Sequence, residues 1–189
     1  MGNLLYSDDM NNSSLAAEWT DVYSSGWAEG ASYSYANDDP AQLRLSSSEF
    51  QDTEGEMEVE TYYDEGALGG GKPGLLFNEA ASTNYWRVLI NYSQQRLELK
   101  RGGSNEDTYA TTLNYRQWYK IKVRWSNVTE NVKVWLDDSL VIDLDHAYGS
   151  SEFESKLVNL YCNGNEDFFF KNFRIWDLVE SNKSCLIFY

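Results

Sequence analysis

Basic residues are scarce in this chain: 15 Lys and Arg face 30 Asp and Glu among 189 residues, a formal charge of -15. Nucleic acids and anionic membrane surfaces are held by a basic footprint, so neither is an expected partner. Long apolar runs are also missing, and without about 20 consecutive apolar residues no helix is expected to span a membrane. Cysteine is limited to Cys162 and Cys185. That is too few for a disulfide framework, and the two either bridge the C-terminal tail to a strand or stay separate thiols. The single histidine, His146, sits beside Asp145 in a loop. There is no Cys/His zinc spacing and no Gly-x-Ser-x-Gly nucleophile elbow. Gly69-Gly-Gly-Lys72 lacks the Ser or Thr that completes a phosphate-cradling loop. The opening Met1-Gly-Asn-Leu-Leu-Tyr-Ser-Asp-Asp9 has neither a basic segment nor a long apolar core, so it does not read as a signal peptide.

Helical periodicity and fixed-period repeats are absent too. Instead, apolar residues fall on every second position, the period of a half-buried strand. The clearest cases are Tyr85–Asn91, Arg96–Lys100, Trp118–Trp125, Val132–Asp138 and Phe169–Trp176. Further strands are expected over Ala31–Ala36, Gln42–Ser46, Gly55–Tyr63, Gly74–Asn78 and Lys156–Tyr161. Asn37-Asp-Asp-Pro40 is a turn signal, Gly66–Gly74 a flexible loop, and Ser150–Lys156 a candidate helical turn. About a dozen short strands joined by turns predict an all-β, antiparallel two-sheet jelly-roll sandwich. The expected domain runs over residues 15–178, between a loosely ordered segment 1–14 and a tail 179–189.

Alternation also assigns faces. Met57 and Val59 point inward while Glu56, Glu58 and Glu60 point out. Trp86, Val88 and Ile90 are core, which leaves Tyr85, Arg87, Leu89 and Asn91 on the other face. Val132, Val134 and Leu136 go in and Trp135 goes out. Aromatics are 15 % of the chain, more than one core usually accommodates, so many rings are expected on surfaces or in clefts. The acidity suits a secreted, soluble protein or one that binds calcium. Asn-x-Ser/Thr sequons occur at Asn11, Asn12, Asn91, Asn127 and Asn182, and matter only in a host that glycosylates.

At several of these strands the chain resembles the concanavalin A-like lectin/glucanase superfamily. Within it, the chain looks most like the family 66-type carbohydrate-binding modules of fructan-degrading glycosidases. The resemblance is carried by Phe50-x-Asp52 leading into Glu56–Glu60, Gly74-Leu-Leu-Phe77, Tyr85–Asn91 and Leu97–Lys100. Trp118–Val123, Lys133–Asp137 and Phe170–Ile175 continue it, so that it covers about residues 15–178. Such modules often carry Arg where this chain has Asn78, and Asp-Gly where it has Asp137-Asp138-Ser139. The resemblance implies a non-catalytic, extracellular module that binds a glycan.

Three sites follow as expectations. For a sugar, carboxylates and Arg would bond the hydroxyl pairs while rings stack on the C–H face. Glu58, Arg87, Tyr85 and Tyr62 are expected to share one sheet face, with Asn78 and Trp135 nearby. The plain alternative is a Glu58–Arg87 surface ion pair. For catalysis, Glu56-x-Glu58-x-Glu60 resembles the Glu-x-Asp-x-Glu strand of jelly-roll β-glucanases, with Glu56 and Glu60 as nucleophile and acid of a retaining glycosidase. For metal, sandwich lectins often hold a structural Ca²⁺, and Glu18, Asp21 and Asp177 or the Asp38-Asp39 turn would supply its oxygens. A protein-interaction sandwich of the laminin-G sort is the alternative to glycan binding.

Overall fold

A computed structural model describes residues 2–10, 17–22, 27–29, 34–36, 41–45, 54–64, 71–81, 84–145, 158–163 and 168–178. The expected Ser150–Lys156 turn, the Asp38-Asp39 turn and Cys185 lie outside them. Fifteen strands are described. They are β1 (Asn3–Asp8), β2 (Trp19–Asp21), β3 (Ala28–Glu29), β4 (Ser34–Ala36), β5 (Ala41–Leu45), β6 (Glu54–Tyr63), β7 (Gly74–Ala81) and β8 (Asn84–Asn91). Then follow β9 (Arg96–Arg101), β10 (Ser104–Ala110), β11 (Tyr119–Ser126), β12 (Asn131–Leu136), β13 (Ser139–Asp145), β14 (Val158–Cys162) and β15 (Phe168–Asp177). All pairings are antiparallel. An eight-stranded sheet runs β13-β12-β11-β6-β15, with β4-β3 beside the first half of β15 and β1 beside its second half. A seven-stranded sheet runs β10-β9-β8-β7-β14-β5-β2. This is the predicted jelly-roll sandwich, and β1, β2, β3, β10 and β13 add to the strands expected from the sequence, β3 falling within Gly26–Gly30, where a turn is expected.

Strict alternation builds the two layers. In β6 every second residue is buried, and Met57 and Val59 meet Trp86, Val88 and Ile90 of the opposite sheet in one continuous core. That core holds more rings than the composition suggested: Trp19, Trp27, Trp86 and Trp125 are all buried, with Phe77, Phe168, Phe170 and Phe173. Two-layer packing accommodates them because rings from both sheets stack between the layers.

The first strand is an addition to the domain expected over residues 15–178. Asn3–Asp8 pairs with β15. The buried carboxylate of Asp8 accepts from Trp19 Nε1 at 2.7 Å and from the Met10 amide at 2.8 Å. The segment is polar in sequence, yet its polar residue is the anchor that ties β1 to β2 of the other sheet.

Turn chemistry completes the eight-stranded sheet. Asp137 and Asp138 both adopt positive φ (47° and 66°), the two-residue type I′ pattern whose twist matches a hairpin. Asp137 Oδ1 accepts from the Lys120 amide at 2.8 Å, and Lys120 Nζ donates to Asp138 at 2.6 Å. In the other sheet, Gly74 pairs with Leu89, and a Cβ there would collide with the Val88 main chain. Gly74→Ala is expected to cost about 1–3 kcal/mol through forced displacement. Urea unfolding reads this as a lower midpoint, and an unchanged midpoint would mean that β7 shifts freely.

Candidate functional site

The residues expected to share one face are divided between the two sheets. Arg87, Tyr85 and Asn78 belong to the seven-stranded sheet, and Glu58, Tyr62 and Trp135 to the eight-stranded one. The core separates the two groups, so a Glu58–Arg87 pair is not formed. Alternation was right within each strand. The error arose between strands, because nothing local states which strands become neighbours.

On the outer face of the eight-stranded sheet the acids are matched by bases across the strands. Glu56 pairs with Arg124 at 2.5 Å, Glu58 with Arg174 at 3.0 Å and Glu60 with Lys171 at 3.2 Å. Asn172 Nδ2 adds a 2.7 Å bond to Glu60. Lys133–Asp143 and Lys120–Asp138 continue the pattern at the edge. Trp135 points outward as expected, but Lys122 Nζ lies 4.6 Å and the Arg124 guanidinium 5.5 Å from its ring centre. Both are cation–π contacts with an outward ring. Glu56 and Glu60 are engaged in the same ladder.

At one end of that face three outward rings converge. Tyr62, at the end of β6, lies 5.3 Å from Trp118 and 5.6 Å from Phe169 at the start of β15. With Asp64 they line a groove of about 280 Å³. Arg116 Nε donates to Asp64 at 2.7 Å, and Lys171 Nζ stands 4.1 Å over the Trp118 ring. Rings, a carboxylate and a guanidinium at the groove rim are the group types that grip a sugar's C–H face and its hydroxyls. Of these residues the sequence reading named only Tyr62. Trp118 and Phe169 carry a signal, since alternation directs both outward. Their convergence depends on β6 lying between β11 and β15.

The fold has counterparts among solved structures. The carbohydrate binding module CBM66 from Bacillus subtilis matches with a TM-score of 0.66 at 18 % identity, over 87 % of this chain and 98 % of that one. The apo Crh5 transglycosylase gives 0.69 at 12 % identity, over 92 % and 84 %. An endo-β-galactosidase from Clostridium perfringens that releases GlcNAcα1-4Gal gives 0.67 at 12 %, over 94 % and 63 %. This chain folds as a concanavalin A-like sandwich. No family model and no curated protein matches it by sequence. Identities this low carry the concanavalin A-like fold across, while the ligand has to be argued from this chain's own residues.

The outer face of the second sheet of this concanavalin A-like sandwich has a different character. Arg87 extends its guanidinium between two rings, 4.8 Å from Tyr85 and 5.2 Å from Tyr161. It donates to Tyr161 Oη at 3.1 Å and to the Gly102 carbonyl at 2.9 Å. Asn78 is buried in β7 at φ 55°. Asn91, also buried, donates to Glu98 at 2.8 Å, which makes this sequon residue part of the structure. For the expected metal site, Glu18 precedes β2, Asp21 ends it, and Asp177 closes β15 in the other sheet. Among the described residues no three His, Cys, Asp or Glu gather as a metal-binding group.

Proposed function

We propose that the protein is a non-catalytic carbohydrate-binding domain that acts outside the cell and seats a sugar ring in the groove of Tyr62, Trp118 and Phe169. The observation that carries this reading is the groove itself: three rings around about 280 Å³ with a carboxylate at the rim. Similarity to a carbohydrate binding module and to enzymes named for glycans supports it. Binding without hydrolysis is favoured because Glu56, Glu58 and Glu60 are each held by a cation.

A glycan array with and without EDTA tests the reading, and its EDTA arm tests calcium at Glu18, Asp21 and Asp177. Trp118→Ala is expected to weaken binding to the best glycan about tenfold or more, the loss of one stacking partner together with its buried area. Calorimetry on the array hit reads that change. A blank array would move the reading to a protein partner. Wild-type affinity in both Trp118→Ala and Tyr62→Ala would remove the groove as the site.

A further inference from the structure

The outer face of the seven-stranded sheet concentrates positive charge in a chain with twice as many acids as bases. Cross-strand partners project from the same face of a sheet. Registration therefore sets Arg44, Asn159, Leu76, Arg87 and Lys100 in one row across β5, β14, β7, β8 and β9. Two residues along β9 from Lys100 are Glu98 and then Arg96, and Lys72 reaches Glu98 from the loop before β7. Glu98 is the one acid on these rows. It is buried and is satisfied by Asn91, Arg96 and Lys72. Its charge is thus answered, while Arg87 and Lys100 stand side by side with no ion pair among the described residues.

Both have donors to offer. Arg87 has five N–H groups, of which one reaches Tyr161 and one the Gly102 carbonyl. Its Nε is buried without an acceptor. The Lys100 ammonium makes no hydrogen bond among the described residues. Burial, and behind it the charges of Lys72, Arg87 and Arg96, hold its ammonium below the usual lysine range, with Glu98 opposing. Two cations held side by side without a counter-charge are what an oxyanion would relieve.

The surroundings narrow the ligand. Leu76, Leu89 and Tyr161 form a separate buried cluster on this face, and the partly buried Tyr85 packed against it, beside Arg87, offers a ring that a bare inorganic ion has no use for and a sugar's C–H surface can meet. A net charge of -15 opposes a long polyanion such as nucleic acid at a distance, whereas one charged group at a local cationic site is tolerated. We propose that this face is a second binding site, distinct from the groove, for an acidic saccharide whose carboxylate or sulfate ester seats between Arg87 and Lys100.

The test is calorimetry with an oligogalacturonide, a sialyl-lactose and a sulfated disaccharide, each against its neutral counterpart, and with sodium sulfate alone. At least one acidic saccharide is expected to bind about tenfold or more tightly than its counterpart, from one charge-assisted contact, and more weakly as salt rises. Lys100→Gln is expected to lower that affinity about tenfold. It should leave unfolding unchanged, since the ammonium holds nothing in place. Arg87→Lys, which keeps the charge and loses the fork, should weaken the same ligand. Trp118→Ala separates the two sites, because it acts on the groove alone. The proposal is overturned if no acidic saccharide outbinds its neutral counterpart or if Lys100→Gln binds like the wild type. It is equally overturned if sulfate alone binds as tightly as the sugars, or if Trp118→Ala abolishes the binding.

Discussion

Trp125→Ala is expected to be the most damaging single substitution outside the binding faces, with a loss of about 3–5 kcal/mol. Trp125, in β11, is buried, and its ring stacks on Phe77 of the opposite sheet at 4.9 Å with 26° between planes. Phe77 in turn stacks on Trp86 at 6.3 Å and 23°. The three rings bridge the two layers, so truncating one opens a cavity that neither sheet can close without sliding on the other. A domain of this kind has only about 5–15 kcal/mol of total stability. At this chain length the loss corresponds to a fall in Tm of about 10 °C or more. Trp125→Phe keeps a ring in the stack and should recover much of it. Thermal unfolding of both variants beside Trp135→Ala, on the outer face, makes the comparison. A Trp125→Ala midpoint no lower than that of Trp135→Ala would remove the inter-sheet stack as a main source of stability.

The second large effect is expected at Glu98, and it depends on which partner is removed. Glu98 is 1 % exposed, and its carboxylate accepts from Arg96 at 2.6 and 2.9 Å, Asn91 at 2.8 Å and Lys72 at 3.4 Å. Asn91 also holds the β8–β9 turn, where its Oδ1 accepts from the Gln94 amide and the Ser93 hydroxyl. Arg96→Met leaves the buried charge short of its main partner and should cost about 3 kcal/mol, the low end for a broken buried pair because Lys72 and Asn91 remain. Glu98→Gln should cost less, about 1–2 kcal/mol. The amide oxygen still serves Asn91, and the released Arg96 and Lys72 are 29 % and 28 % exposed, so they keep access to water.

The same network gives a pH dependence. Burial by itself would raise the Glu98 carboxyl. Hydrogen bonds from Asn91 and Arg96, with the charges of Lys72 and Arg96, outweigh it and hold the group below the ordinary carboxyl value of 4.5. A group depressed in the folded state adds stability that is complete above its unfolded pKa and is lost as pH falls through the folded one. Wild-type stability should therefore decline into acid more steeply than that of Glu98→Gln. Urea midpoints measured from neutral pH down into acid check this. Parallel curves, or a Glu98→Gln penalty larger than that of Arg96→Met, would contradict the account.

Much of the architecture was legible in the chain because strand alternation is a local property. The inward sets Met57/Val59, Trp86/Val88/Ile90 and Val132/Val134/Leu136 follow from spacing alone, and all are buried. Leu89 shows the same rule on the other side: it points away from the main core and joins the apolar cluster around Tyr161. Where local signals were contrary, the reading missed. Asn3–Asp8 looks like a polar lead-in, and it becomes a strand because Asp8 meets Trp19 and because β15 has room for a partner at its edge. Ser104–Ala110 is polar and largely exposed, an edge strand that follows from its hairpin with β9 and from no apolar period.

The functional surface divides along the same line. Residue types were readable: outward Tyr, Trp, Arg and Glu on a sandwich are the groups that meet a glycan. Their company was not. Glu58 meets Arg174 from 116 residues away, Arg87 meets Tyr161 from 74 residues away, and Tyr62 and Phe169 come from β6 and β15 while Trp118 immediately precedes β11. Side-chain period is a property of one strand and is written in its spacing. Strand order and register come from packing the whole chain into two layers. Only that packing decided that the outward acids would face bases on one sheet and that the bases Arg87 and Lys100 would stand together on the other.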